Sequence, residues 1–356
     1  MARVRKNTAS RAQRAPRSES RPHWTELTDA GLLDLRFCDL DLELRDSELA
    51  TRVEVLYDEL AQRGLKFRPH CWLSTEWFSP DGVPGFAIPF YLAHPRLMAL
   101  EHRQMQEVEG GTERECMQLL RHEAAHALDS AFGVHRRADW RETFGAWTTP
   151  YVRHYRPKPY SKRFVRHLDR WYAQSHPAED FAETFAVWLD PSSRWRARYK
   201  DWPAIAKLRY VNRAMREIAG KRPSVRSREQ VEPLSELKTT LREYYQRKRK
   251  RYGAEVIHSY DRDLSRLFTP RDFEDASESA AEFLRRAQPR IRFLVARSTG
   301  EAAHAIDRVL SDMIRRSVAL DLVLARKRLA SQRRATQRVA RHAAKYIEKG
   351  YHQFAR

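Results

Sequence analysis

The segment 112–133 restricts the fold of this chain more than any other, because both its pattern and its boundaries require a helix. A glycine pair breaks the chain before it, and a T-x-x-E capping box opens it at Thr112. Apolar residues recur at helical spacing up to Ala131, and Gly133 is a favoured C-terminal stop. The sequence therefore predicts an amphipathic α-helix of about five turns.

The middle of this helix carries a motif with chemical consequences, His122-Glu123-Ala124-Ala125-His126. Four residues advance a helix by about 400°, so the two histidines lie about 40° apart on one face. Both imidazoles can reach one metal ion, and Glu123 can accept a proton from a water molecule that the ion activates. This is the H-E-x-x-H arrangement of zinc peptidases. The alternative is a pair of structural or surface histidines that share a face.

A catalytic zinc site needs a third protein ligand, and the extended form of the motif does not provide one. Asp129 and Phe132 stand where that form has its glycine and its third histidine. The third ligand must therefore come from elsewhere in the chain. His135, His154 and His176 are weaker candidates, because each is better explained as a structural or surface histidine.

A second predicted helix is the best source of that ligand. It begins at Pro177, a favoured first position, and ends at Asp190. Glu179 and Glu183 share one of its faces, so one could bind metal while the other orients a histidine. Two carboxylates on an otherwise apolar helix require such a partner if they are buried. The alternative is a solvated acidic first turn that the helix dipole stabilises.

The two helices together resemble a known group of enzymes. HEAAH followed by AEDFAETF is similar to the gluzincin metallopeptidases, in which the third ligand is a glutamate on a later helix. The closer likeness is to bacterial zinc-binding metallopeptidases distantly related to the anthrax lethal factor protease domain. Further segments that carry it are RPHCWLSTEWFSP, GFAIPFYL, LLRHEAAHALD and WYAQSHPAEDFAETFAVWLDP. The resemblance covers about residues 30–215.

The resemblance implies roles for particular residues. Glu179 would bind the metal and Glu183 would support a ligand from outside. Tyr172, seven residues before Glu179, would point at the metal and could stabilise an oxyanion. The alternative for Tyr172 is a packed aromatic side chain. Asp180 replaces an apolar residue of the lethal factor pattern, and it is the second candidate for the third ligand.

The resemblance also implies a fold and an activity. We expect an α+β chain with a zincin-like metallopeptidase domain, in which an active-site helix packs on a small mixed sheet. We expect a zinc-dependent metalloendopeptidase, with Glu123 as general base and a peptide or protein as substrate. Residues 71–78 and 85–92 are predicted strands, and Pro89 favours an edge position for the second. That edge could pair with an extended substrate, unless the segment is a core strand.

Charge divides the chain into three predicted parts. Residues 1–22 carry a net charge of +6, residues 23–219 of −1 and residues 220–356 of +15. We predict a disordered basic tail, a near-neutral zincin-like domain and a basic, mainly α-helical C-terminal region. The basic region includes the run RKRKR at 247–251. It could bind nucleic acid non-specifically, or an acidic partner, or it could be a solvated helical face.

Several classes are not expected. The three cysteines are dispersed, so the sequence supports neither a disulfide framework nor a thiolate zinc site. No apolar run suits a signal peptide or a transmembrane helix, and we expect a cytoplasmic protein. Two rival functions stay open: a basic helical binding protein with a structural or vestigial zinc site, and a non-peptidase hydrolase with the same metal chemistry.

Overall fold

The computed structural model describes most of the chain outside its two ends. The described residues are 23–105, 108–151, 158, 161–251, 255–271, 278–299, 303–324 and 332–348. The predicted basic tail over residues 1–22 lies outside them, and so does His154.

The structure is helix-rich with very little sheet, which agrees with the predicted α+β class. The helices of the first part of the chain are α1 (Asp29–Leu33), α2 (Glu48–Gln62), α3 (Pro95–Met105), α4 (Glu113–Phe132), α5 (Ala138–Phe144), α6 (Pro177–Leu189), α7 (Trp195–Arg198), α8 (Ile205–Ile218) and α9 (Leu241–Arg251). Those of the second part are α10 (Glu255–Leu267), α11 (Ala280–Thr299), α12 (Ala303–Ala319) and α13 (Gln332–Glu348).

Two main hydrophobic cores organise these helices. The first extends from Trp24 to Tyr245 and includes buried side chains from α2, α4, α6, α8 and α9. The second extends from Tyr260 to Ala343 and is formed by α10 to α13 with the short strands β3 (Thr269–Pro270) and β4 (Leu322–Val323). No helix among the described residues is both long and apolar enough to cross a membrane.

The predicted domain boundary at residue 220 comes too early. The segment that follows α8 runs back over the first core, where Ser224 N donates to the carbonyl of Ala131 at 3.0 Å. Farther on, the carbonyls of Val231 and Glu232 accept hydrogen bonds from side chains of the first strand. Tyr244 on α9 is then buried in the first core. The sequence becomes basic at about residue 220, but the first core continues through α9. The predicted boundary is therefore early by the length of α9 and the segment that leads to it.

The small sheet of the first core consists of β1 (His70–Ser74) and β2 (Gly85–Pro89), which pair in parallel. All five residues of β2 are buried, and the N–H of Ala87 donates to the carbonyl of Phe78 at 2.8 Å on the side away from β1. The prediction of an edge strand over 85–92 that could pair with substrate is therefore wrong. Strand β2 is apolar and contacts α4, so it is a core strand, which was the alternative interpretation of this segment.

Helix α4 forms as the sequence predicts, and its position explains its apolar face. The hydroxyl of Thr112 accepts a hydrogen bond from Glu115 N, and the Glu115 carboxylate accepts one from Thr112 N. Gly133 ends the helix with φ +62°, in the left-handed region that glycine adopts without strain. Between these caps α4 packs against α2, β2 and α6. The H-E-x-x-H face is thereby turned toward α6.

Helix α6 is buried from its second residue to its last. A helix that is apolar on most sides belongs in a core, and its Phe181 packs against Trp140 and Phe144 of α5. Its three acidic residues are therefore carried into the interior by the helix that holds them. The predicted alternative of a solvated acidic first turn is wrong, because Glu179 is only 5% exposed and Asp180 only 2%.

Candidate metal centre

Three predicted ligand residues meet where α4 faces α6. Oε2 of Glu179 lies 3.0 Å from Nε2 of His122 and 3.3 Å from Nε2 of His126. The two Nε2 atoms are 3.2 Å apart. A tetrahedral site with bonds of about 2.0–2.1 Å has ligand atoms about 3.3 Å apart. The three atoms therefore have the spacing of one face of such a tetrahedron, and they form a group that could hold a metal ion.

The charges of the site support the same conclusion. Glu123, Glu179 and Glu183 are all buried, and none pairs with a lysine or arginine among the described residues. Three other buried carboxylates, Glu59, Glu101 and Asp180, do have such a partner; Glu59 pairs with Arg121 at 2.6 Å. Buried charge without compensation is strongly unfavourable. A divalent cation would supply the positive charge that the chain itself does not place there.

Glu183 lies behind the His122 ring, where a supporting carboxylate is expected from the sequence. Its Oε1 lies 3.0 Å from Nδ1 of His122, and its Oε2 accepts a hydrogen bond from the backbone N–H of Leu168 at 2.9 Å. With Nδ1 donating to Glu183, the lone pair of His122 Nε2 faces Glu179 and His126. A carboxylate behind a histidine ligand fixes its tautomer and ring orientation in this way.

The two imidazoles and the Glu179 carboxylate shift one another's pKa values. Burial opposes protonation of both imidazoles, but hydrogen bonding and charge interactions with Glu179 outweigh it. They raise the pKa of His122 well above its ordinary value and raise that of His126. The same interactions overcome burial at Glu179 and hold the pKa of its carboxyl well below the ordinary value. Perturbed groups clustered in this way are typical of functional sites.

Glu123 lies beside this group and is held from a direction that the sequence did not indicate. The hydroxyl of Ser79 donates to Oε2 of Glu123 at 2.8 Å. Ser79 belongs to the loop that connects β1 to β2, far from α4 in the sequence. The hydrogen bond restricts the orientation of the Glu123 carboxylate.

Tyr172 also lies at the site, in the 3₁₀ segment Asp169–Gln174. Its ring centroid is 5.6 Å from that of His122. The residue before it, Trp171, has a backbone φ of +59°, a conformation that residues other than glycine rarely adopt. Strained backbone of this kind is concentrated at functional sites.

Asp180 is turned away from the site, although it follows Glu179 in the chain. Its Oδ2 lies 2.5 Å from the Lys207 ammonium on α8. Burial raises the pKa of Asp180 to about 7, and Lys207 opposes that rise. The structure therefore does not bring Asp180 into the group as a third ligand or as support for one.

The weaker histidine candidates have structural partners. Nδ1 of His135 lies 2.7 Å from Asp129, and its ring stacks on Trp147 with centroids 4.4 Å apart. His176 caps α6, because its Nδ1 accepts from the backbone N–H of Ala178 at 3.1 Å. Neither residue belongs to the group of potential ligands.

One residue at the site escaped sequence reasoning entirely. The hydroxyl of Tyr151 donates to Oε1 of Glu179 at 2.8 Å. Tyr151 precedes Glu179 by 28 residues and belongs to no regular element, so no helical or strand spacing ties the two together. Its neighbours Thr149 and Pro150 indicate only a turn.

Comparison with models of known protein families, with curated proteins and with solved structures gives no match.

Proposed function

We propose that this chain is a zinc-dependent metallopeptidase with a zincin-like catalytic domain of the gluzincin type. The observation that carries the proposal is the tetrahedral spacing of His122, His126 and Glu179 beside the buried carboxylate of Glu123. The resemblance to bacterial zinc-binding metallopeptidases supports it, since it implies Glu179 as a ligand and Glu183 as its support, and both carboxylates contact the His122 imidazole.

The donor set favours zinc over the other common metals. Two imidazoles and one carboxylate suit a borderline-soft ion, whereas calcium and magnesium prefer sites made of oxygen ligands. When bound by three protein ligands, zinc activates a water molecule and polarises a peptide carbonyl. His122 and His126 would hold the ion as neutral imidazoles, and Glu179 would contribute one carboxylate oxygen.

The residues around the ligands have separate tasks. Glu123 accepts a proton from the attacking water and later gives it to the leaving amine. Ser79 keeps that carboxylate aimed during the transfer. Tyr172, next to the His122 ring, donates to the oxygen on which negative charge develops. Substrate approaches from the His126 side, because that imidazole is 16% exposed whereas the His122 imidazole is only 4% exposed.

Replacing Glu123 by glutamine tests the proposal directly. Glu123→Gln keeps the shape of the side chain but cannot take up the proton, so we expect hydrolysis of a peptide library to fall about 10²–10⁴-fold. Zinc content, measured by atomic emission after gel filtration, should not change. Glu113→Gln, an exposed change on the same helix, is the matched control and should leave both quantities unaltered.

The outcomes separate the candidate functions. Full peptide hydrolysis by Glu123→Gln would contradict the role of this residue as general base. Zinc binding without peptide hydrolysis in the unchanged protein would favour a non-peptidase hydrolase or a structural zinc site. Absence of zinc would contradict the metal centre itself.

A second candidate function rests on the exposed face of α11. Arg285, Arg290 and Arg297 are exposed, and Phe293 between them is 54% exposed with the Arg290 guanidinium 5.6 Å from its ring. Arginines beside an accessible aromatic ring can bind single-stranded nucleic acid by phosphate contacts and base stacking. In that case the zinc site would be structural or vestigial. Salt-dependent retention on single-stranded DNA, reduced by Phe293→Ala, would support this function.

A further inference from the structure

The two oxygens of the Glu179 carboxylate have different surroundings. Oε2 faces both Nε2 atoms, at 3.0 Å from His122 and 3.3 Å from His126. Oε1 instead accepts the hydrogen bond from Tyr151 at 2.8 Å. One oxygen is thus directed at the metal position, while the other is held by a phenol.

Tyr151 reaches this buried carboxylate from the protein surface, since 54% of the residue is exposed. It closes a short segment, residues 145–151, which we call the strap. The strap begins at Gly145, whose φ is +112° and whose missing Cβ would lie 3.3 Å from Cγ of Pro177. A side chain there would strain the backbone and press on the first residue of α6.

The strap is fastened to the ends of both ligand-bearing helices. Trp147 stacks on His135, which is bonded to Asp129 near the end of α4. At the start of α6, Nε2 of His176 lies 2.6 Å from the carbonyl of Thr149 and donates to it, because Nδ1 is already an acceptor. The Tyr151 ring lies flat on the His176 ring, with centroids 3.8 Å apart and planes 14° apart.

These contacts fix where the phenol can be. The His176 ring sets the plane of Tyr151, and the cap of α6 sets the position of His176. The hydroxyl therefore meets Oε1 as a consequence of how the strap is anchored. Carboxylates that bind metals are commonly hydrogen-bonded from outside, and such partners affect metal binding.

We propose that Tyr151 is a positioning residue that keeps Glu179 a one-oxygen ligand. A carboxylate that binds through both oxygens occupies a further coordination position, whereas a catalytic site must keep a position open for water or substrate. Tyr151 holds Oε1 away from that position. The inference rests on the metal centre of the proposed function but does not depend on peptide hydrolysis.

Cobalt(II) in place of zinc reports the number of ligand atoms through its visible absorption, which is stronger in four-coordinate than in five-coordinate sites. Tyr151→Phe keeps the ring and its stack on His176 but removes the hydroxyl. We expect the cobalt absorption to weaken as Oε1 swings to the metal, and the affinity for zinc to change by about tenfold or more. Tyr57→Phe is the control. It removes a hydroxyl on α2 that donates to the carbonyl of Pro69 and does not contact the proposed ligands.

The results distinguish this inference from the proposed function. An unchanged cobalt spectrum and an unchanged zinc affinity in Tyr151→Phe would overturn the role of Tyr151 and leave the metal centre intact. Failure of the unaltered protein to bind cobalt or zinc would overturn both. Trp147→Ala, which loosens the strap at its other anchor, should move the spectrum in the same direction by a smaller amount.

Discussion

Two helix interfaces of the first core bury carboxylates, and they compensate the charge in different ways. Between α3 and α9, Glu101 is 2% exposed and lies 3.0 Å from the Lys248 ammonium. Between α4 and α6, Glu179 contacts the imidazoles of His122 and His126 and the hydroxyl of Tyr151, and Glu183 contacts His122 and the backbone N–H of Leu168. The first interface contains a lysine, whereas at the second the groups among the described residues that can carry a positive charge are the two imidazoles.

The contrast separates a structural buried carboxylate at α3–α9 from candidate functional carboxylates at α4–α6. At α3–α9, burial raises the pKa of Glu101 and Lys248 opposes that rise, so the pair joins the helices. Lys248 belongs to the basic run 247–251, which is therefore not a uniformly solvated face. At α4–α6 the missing cation leaves room for a bound one. A buried acid without lysine or arginine is thus the sharper indication of function.

The largest effect should follow from removing the metal-directed carboxylate. Glu179→Ala deletes the one anionic ligand, so we expect zinc content to fall from stoichiometric to background after gel filtration. Asp180, the next residue, should not replace it, because it is bonded to Lys207. Undiminished zinc content in this variant would show that another residue is the third ligand. It would also contradict the proposed difference between the two interfaces.

Removing the built-in cation should act on stability instead of metal binding. Lys248→Met leaves Glu101 buried without its charge partner, and we expect the free energy of unfolding to fall by about 3–5 kcal/mol. Zinc content of the folded protein should stay the same. Denaturant titration measures the first quantity, and Lys250→Met, exposed on the same helix, should change it little. A loss of zinc without a loss of stability would contradict the comparison.

A smaller effect should appear as pH dependence at the α4–α6 interface. The raised pKa values of His122 and His126 mean that zinc displaces protons, so affinity should rise about tenfold per pH unit for each proton until pH exceeds those pKa values. Chelator competition across neutral pH measures this. Affinity that does not vary with pH would show that the imidazoles are already neutral.

The stability of the metal-free protein should change with pH in the opposite direction. A histidine whose folded pKa is raised contributes stability below its ordinary pKa and loses that contribution as pH rises through the raised value. The lowered pKa of Glu179 contributes above its ordinary value, and that part is lost in acid. Raising the pH through the neutral range should therefore weaken the metal-free site while it strengthens zinc binding.

Local signals explain what the sequence predicted well. The cap at Thr112 and the stop at Gly133 act within one turn, and α4 spans the predicted segment. Helix α6 begins at Pro177 and ends before Asp190 for the same reason. Because both motifs have the helical period, the faces that carry the ligands followed from spacing alone. The resemblance, and not the helical period, predicted that the two faces would meet.

Long-range contacts explain what the sequence did not predict. The parallel pairing of β1 with β2 decides whether residues 85–92 are an edge or a core strand, and no local pattern encodes that pairing. The contact of Ser79, in the loop between these strands, with Glu123 is likewise long-range. Tyr151 lies in an irregular segment whose path depends on where α4 and α6 end. Side chains delivered by such segments have no periodicity from which to infer them.

The segment that returns over the first core after α8 has a practical consequence for dissecting this protein. A fragment ended at residue 219 would leave the indole of Trp72 and the hydroxyl of Ser74 without their acceptors and would remove Tyr244 from the first core. Such a fragment would be prone to aggregate, although every proposed zinc ligand is present in it. Trimming after residue 251 would keep the part that contains the proposed metal centre together with the segment that packs over its core.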